Sequence, residues 1–128
     1  MPKNIILVDD SKTILATAEM AVNGLVQNKV VTFDTYLNPA ELRDALINGE
    51  KDYDLLISDI NMPQLYGLDL IKELKALEQF KNKPILVLTT ESSAQMKAQG
   101  KALGVTGWLV KPFSDEKLVR AIKMVLGL

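Results

Sequence analysis

The chain has 128 residues, 15 Lys+Arg against 16 Asp+Glu for a formal net charge of -1, and neither cysteine nor histidine. A chain of this length makes one domain that buries roughly two thirds of its unfolded surface without disulfides or a structural metal. The near-neutral balance, with no Lys/Arg run or basic aromatic strip, leaves no electrostatic footprint for nucleic acid, and the missing Cys and His remove thiol chemistry and the commonest general base.

Short β-branched or Leu-rich runs alternate with longer stretches of helical period, the pattern of a repeated βα unit with a parallel sheet. The first strand is expected at Asn4 to Val8, followed by a helix from about Ser11 that buries Ile14, Ala18, Ala21, Val22 and Leu25. Lys29 to Asp34 reads as the second strand. The next helix opens on Asn38-Pro39-Ala40-Glu41, an N-cap followed by Pro at the first helical position, buries Leu42, Ala45 and Leu46, and stops at Asn48-Gly49. Leu55 to Ser58 is the third strand, and a helix from near Gly67 to Glu78 places Leu70, Ile71, Leu74 and Leu77 inward. Lys83-Pro84 restarts the chain as the fourth strand, Ile85-Leu86-Val87-Leu88. The fourth helix, about Ser93 to Leu103, has only Met96, Ala98, Ala102 and Leu103 to bury and should be the least firmly packed. Gly107 to Val110 is the fifth strand, and Ser114-Asp115-Glu116 caps a last helix burying Leu118, Val119, Ile122, Val125 and Leu126.

Near-continuous apolar strands of this kind are covered on both faces. Four apolar residues after Met1-Pro2-Lys3-Asn4 are too few for a signal-peptide core, and no stretch approaches a membrane span, so a cytoplasmic protein is expected.

In open parallel sheets, ligands sit outside the carboxyl ends of the strands. Here the first strand ends in Asp9-Asp10, the third in Asp59, the fourth in Thr89-Thr90 and the fifth in Lys111-Pro112. Carboxylates gathered at one edge repel one another, a cost that a cation or a reacting group offsets. Mg2+ suits such a cluster because it takes oxygen ligands. An Asp can serve as nucleophile on phosphorus, a reaction helped mainly by positioning and positive charge. Taken singly, Asp9 also reads as a turn or cap residue and Lys111 as a solvated lysine. Strand alternation lets only one of Thr89 and Thr90 face the site, and the spacing to Lys111 favours Thr89.

Val8-Asp9-Asp10-Ser11, Ser58-Asp59-Ile60-Asn61-Met62-Pro63, the hydroxyl at Thr89 and Lys111-Pro112-Phe113 stand in the order and spacing of bacterial response-regulator receiver domains, which the whole chain resembles in its CheY-like, chemotaxis form. The resemblance implies a flavodoxin-like (βα)5 doubly wound fold with a five-stranded parallel sheet of order 2-1-3-4-5, and a receiver domain over residues 1–128. It implies that Asp59 accepts a phosphoryl group and that Asp9, Asp10, Asp59 and the backbone carbonyl of Asn61 hold Mg2+. Lys111 and Thr89 would meet the phosphoryl charge, while Asn61 and Glu91 tune its loss or are simply solvated. The bond before Pro112 resembles the cis peptide usual in receivers. Receivers usually carry Tyr or Phe three residues before the lysine; Trp108 stands there, either as the aromatic switch or as a packing residue.

The implied function is that of a stand-alone response regulator signalling through a changed surface of the fourth helix, fifth strand and fifth helix. Its donor is a histidine kinase, and its output is a target such as the flagellar motor switch. A phosphatase is a further partner the resemblance admits; nucleic acid and membrane are not implied, and a monomer is expected. Catalysis would be confined to the chain's own phosphoryl transfer and dephosphorylation. An intermediate of another phosphorelay, or a receiver excised from a longer regulator, fits the same motifs. A haloacid-dehalogenase phosphatase would need Asp-x-Asp after the first strand, where Asp9-Asp10-Ser11 stands. A flavodoxin would need a phosphate loop where Asp9-Asp10 would repel the phosphate.

Overall fold

The computed structural model describes residues 2–128. Five strands, β1 (Lys3–Val8), β2 (Val31–Tyr36), β3 (Leu55–Ser58), β4 (Ile85–Thr89) and β5 (Gly107–Val110), alternate with five helices, α1 (Lys12–Gln27), α2 (Pro39–Ile47), α3 (Gly67–Lys75), α4 (Ala94–Leu103) and α5 (Asp115–Leu126). The sheet is parallel, as the βα pattern predicts, and has the order β2-β1-β3-β4-β5 that the resemblance implies.

The period of two along each strand divides the core into two layers. Ile6, Val8, Leu56, Ile85 and Val87 pack with Leu42 and Leu46 of α2 and with Leu70, Ile71 and Leu74 of α3. Ile5, Leu7, Leu55, Ile57, Leu86 and Leu88 face the other way, against Leu15, Ala18 and Val22 of α1 and Leu118 and Ile122 of α5. Helix starts follow the expected chemistry: Ser11, Asn38, Ser93 and Ser114 each accept a backbone N–H of the first turn. Among the described residues, no helix is long and apolar enough to cross a membrane.

Five local expectations are corrected. Strand β2 starts at Val31 rather than Lys29, because Lys29 adopts the left-handed conformation (φ 59) that ends α1, and the strand runs on to Tyr36 opposite Val8. Helix α3 ends at Lys75, three residues before Glu78, where the Lys75 ammonium donates to the carbonyl of Lys83 at 2.8 Å and fixes the turn that follows. Leu15 rather than Ile14 is the first buried residue of α1. Helix α4 is indeed the least buried, yet its one buried residue is Gly100, with Met96 and Leu103 half-buried and Ala98 and Ala102 exposed. In α5, Val119, Val125 and Leu126 are only partly buried.

Tyr53, 1 % exposed, stacks on Phe80 with ring centroids 5.1 Å apart, and its hydroxyl has no hydrogen-bond partner among the described residues. Burial, with the nearby Asp52 charge, raises its pKa. An unsatisfied buried hydroxyl costs about 1–3 kcal/mol, so Tyr53→Phe should leave the urea-unfolding midpoint unchanged or raise it; a loss above about 1 kcal/mol would show that the hydroxyl is satisfied in solution.

Candidate functional site at the carboxyl edge of the sheet

Parallel register brings the strand ends together. Val8 lies opposite Ser58 and Ser58 opposite Val87, while Thr89 pairs with Val110. The residue after β3 continues the ladder, the Asp59 N–H donating to the Val8 carbonyl at 3.1 Å, and the Lys111 N–H donates to the Thr89 carbonyl at 2.8 Å. Asp9, Asp59, Thr89 and Lys111 are thus set side by side by the same backbone bonds that build the sheet.

The carboxylates divide their oxygens. Oδ1 of Asp9 accepts the Ser11 N–H at 2.9 Å, and Oδ1 of Asp59 accepts the Ile60 N–H at 2.7 Å. Lys111 takes the other oxygen of each, its Nζ lying 2.6 Å from Asp9 Oδ2 and 3.1 Å from Asp59 Oδ2. Asp9 is 0 % exposed and Asp59 6 %, whereas Asp10 is exposed to solvent. One oxygen from each of Asp9, Asp10 and Asp59 falls within 4.8 Å of the others, a spacing that one small cation bridges.

Burial raises the Asp9 carboxyl above its usual range, with the Asp59 charge adding to it, against the lowering effects of the Lys111 hydrogen bond and charge and of the Ser11 N–H. Burial alone would lower the Lys111 ammonium. The hydrogen bond and charge of Asp9, joined by those of Asp59, outweigh it and raise that pKa. Desolvation of a buried charge thus exceeds what its ion pair returns at Asp9.

Thr89 is fully buried and Thr90 exposed. The other predicted residues form a network on one side of the edge, centred on Glu91. Its N–H donates to Thr89 Oγ1 at 3.3 Å, its carbonyl accepts the Trp108 indole N–H at 2.9 Å, and its carboxylate accepts the Asn61 amide at 3.2 Å. Trp108 is half-buried against the α4 side of the core. The Lys111–Pro112 peptide bond is cis, as the resemblance implies.

Two glycines that the motifs do not single out support this arrangement. A Cβ on Gly67 would overlap the Asp59 carbonyl oxygen and the Ile60 Cα, so only glycine lets α3 start this close to the β3 end. At Gly100 a Cβ would lie 2.8 Å from Trp108 Cζ3, so the gap in α4 is where the indole rests. The only sequence signal for either was a glycine at the start of one helix and inside another.

Comparison with known proteins agrees with this geometry. Residues 5–123 match the response regulator receiver domain family. The chain belongs to that family. This receiver domain is 32 % identical over 123 residues to chemotaxis protein CheY1 of Helicobacter pylori, covering 96 % of each chain. It superposes on the crystal structure of chemotaxis protein CheY4 of Vibrio cholerae with a TM-score of 0.85 and 35 % identity, over 98 % of this chain and 100 % of the other. The receiver domain of a Pseudomonas aeruginosa sensor histidine kinase, with a magnesium ion coordinated in its active-site cleft, shares the fold at a TM-score of 0.83 and 21 % identity over 100 % of both chains. The likeness to CheY proteins is consistent with two-component signalling and chemotaxis.

Gly67→Ala should destabilise the receiver by about 1–3 kcal/mol or more, read from urea unfolding. The sign of the Asp9 shift gives a second expectation. A carboxyl raised in the folded state takes up protons on folding, so its contribution to stability falls as pH rises through and above its ordinary value of 3.8. In EDTA at pH 7, Asp9→Asn should therefore unfold at higher denaturant than the wild type, and the gap should close as pH falls and the wild-type carboxyl protonates.

Proposed function

We propose that the chain is a response-regulator receiver whose Asp59 accepts a phosphoryl group from the phosphohistidine of a histidine kinase. The observation that carries the reading is the Lys111 ammonium set between the buried carboxylates of Asp9 and Asp59 at the carboxyl edge of the sheet. A cation already occupies the centre of this acid cluster in the form of a side chain, so the donor set fits a hard divalent ion. Asp9, Asp10 and Asp59, with the backbone carbonyl of Asn61, would hold Mg2+. When bound, the ion supplies positive charge to the equatorial oxygens of the transferring group.

The chain's own residues supply the rest. In the transfer, an Asp59 carboxylate oxygen forms the new bond to phosphorus as the phosphorus–nitrogen bond to the donor histidine breaks, and the freed imidazole takes up a proton. Asp59 is well placed for this because Ile60 N–H fixes Oδ1 and leaves Oδ2 directed at Lys111. Lys111 then pairs with the added charge, and Thr89 offers its hydroxyl. Moving Thr89 would loosen the Glu91 N–H bond and with it the Glu91 carbonyl that holds Trp108. In this way a local charge change biases the position of α4 and β5, whose weak packing makes them the responsive surface.

Asn61 and Glu91, joined across one side of the site, are placed to affect how fast water removes the phosphoryl group. The CheY relatives favour chemotaxis, with an output partner such as the flagellar motor switch and a cytoplasmic location.

Incubation with Mg2+ and acetyl phosphate should add one phosphoryl group by intact mass, and Asp59→Asn should abolish it. Equal labelling of that variant, or no labelling of the wild type, would sink the assignment. Trp108 is the single tryptophan, so its fluorescence should change on phosphorylation; a constant signal at full labelling would remove β5 from the response.

A further inference from the structure

We infer that Tyr66 is a positioning residue for the response: it braces the first turn of α4 against the end of β3 and so raises the energy needed to move that helix. The inference rests on Asp59 as the phosphoryl acceptor, and it adds a connection from the Asp59 segment to α4 that is separate from Thr89, Glu91 and Trp108.

Tyr66 stands at the cap of α3 without capping it. Ser11, Asn38, Ser93 and Ser114 each accept a first-turn N–H, whereas the Tyr66 side chain makes no such bond. Its backbone is fixed to the Asp59 segment instead. The N–H of Gly67, the next residue, donates to the Ile60 carbonyl at 2.7 Å, and a Cβ on Gly67 would overlap the Asp59 carbonyl oxygen. From that anchored position the Tyr66 hydroxyl reaches Met96 Sδ on α4, at 3.5 Å.

Met96 is a point at which α4 can be held. Its N–H donates to Ser93 Oγ at 3.1 Å in the first turn, and its side chain is half-buried against the core layer of α2 and α3. Beside this contact the two helices are parted by an open groove of about 320 Å3, lined by Leu68 and Lys72 of α3 and by Gln99 and Ala102 of α4. Helix α4 buries only Gly100, so little else resists its movement and one contact between a thioether and an aromatic ring counts.

The two connections pull on α4 differently. Glu91, bonded to Thr89, lies two residues before Ser93, whose hydroxyl caps α4. A shift of Thr89 toward an added phosphoryl group is therefore passed to the first turn of α4, while Tyr66, fixed to the end of β3, stays with Asp59. The Tyr66–Met96 contact must stretch for α4 to respond, and its strength biases the helix toward the unphosphorylated arrangement.

Amide hydrogen exchange of the unphosphorylated wild type, Tyr66→Ala and Tyr66→Phe reads the brace. Exchange across α4 should rise in Tyr66→Ala by about 2- to 10-fold, the span of a sulfur–aromatic contact, and by less in Tyr66→Phe. Helix α3, which takes no cap bond from this side chain, should keep its protection. Unchanged exchange in α4, or equal loss across α3 and α4, overturns the brace. Met96→Leu keeps the apolar bulk and loses the sulfur, so it should add nothing to Tyr66→Phe; additive effects overturn the contact. Should Tyr66→Ala fail to fold, Tyr66→Phe, Met96→Leu and their double variant decide by the same criteria. Labelling with Mg2+ and acetyl phosphate then reads the response: exchange across α4 should rise in the wild type and rise less in the variant, and an equal rise in both removes Tyr66 from the response. A wild type that takes up no phosphoryl group would instead sink the Asp59 reading, a result distinct from the exchange measured without phosphodonor.

Discussion

Parallel pairing of β1 with β3 forces Asp9 and Asp59 to emerge side by side, and nothing in the backbone can separate them without breaking the two core layers beneath. Two buried carboxylates in that position would be untenable alone. One ammonium, carried by Lys111 just after β5, bridges both and offsets one of their two charges. Everything else at the edge is arranged around this triad: the N–H groups of Ser11 and Ile60 orient its acids, and Gly67 lets α3 begin close behind Asp59.

The triad also explains why the site is built from strand ends rather than from a flexible loop. A group that must both repel and attract its neighbours needs a rigid mount, and the sheet provides one through ladder bonds shared with the core. Burial then falls off toward both edge strands, β2 and β5. Strands β1, β3 and β4 are buried along most of their length, whereas β5 is only partly covered and α4 buries a single glycine. The buried centre of the sheet holds the acids, and Trp108 stands at its partly covered β5 edge beside α4.

Much of this was legible in the sequence because apolar runs and helical periods mark the strands, and because Asp9, Asp10, Asp59, Thr89 and Lys111 each follow one of those runs. Boundaries were less so. Lys29-Val30-Val31 reads as continuous strand although Lys29 turns left-handed, and Leu77 continues the period of α3 beyond the point where Lys75 binds the carbonyl of Lys83. Those endings depend on contacts made elsewhere in the chain. The preference of Lys111 for Asp9 was equally hidden, since the two residues are 102 positions apart and their pairing is set by side-chain reach rather than by motif. Gly67 and Gly100 carry no side chain, so the sequence shows them only as possible breaks; their meaning lies in what would collide with them.

Glu91 meets Thr89 and Trp108 through its main chain and Asn61 through its carboxylate. The two kinds of contact answer to different genetic events. Any residue except proline at position 91 retains the N–H and carbonyl that link the hydroxyl to the indole, while the side chain bridging to Asn61 is replaceable at will. Point substitution at position 91 can therefore remove the contact to Asn61 while leaving the main-chain link between the Thr89 hydroxyl and the Trp108 indole in place.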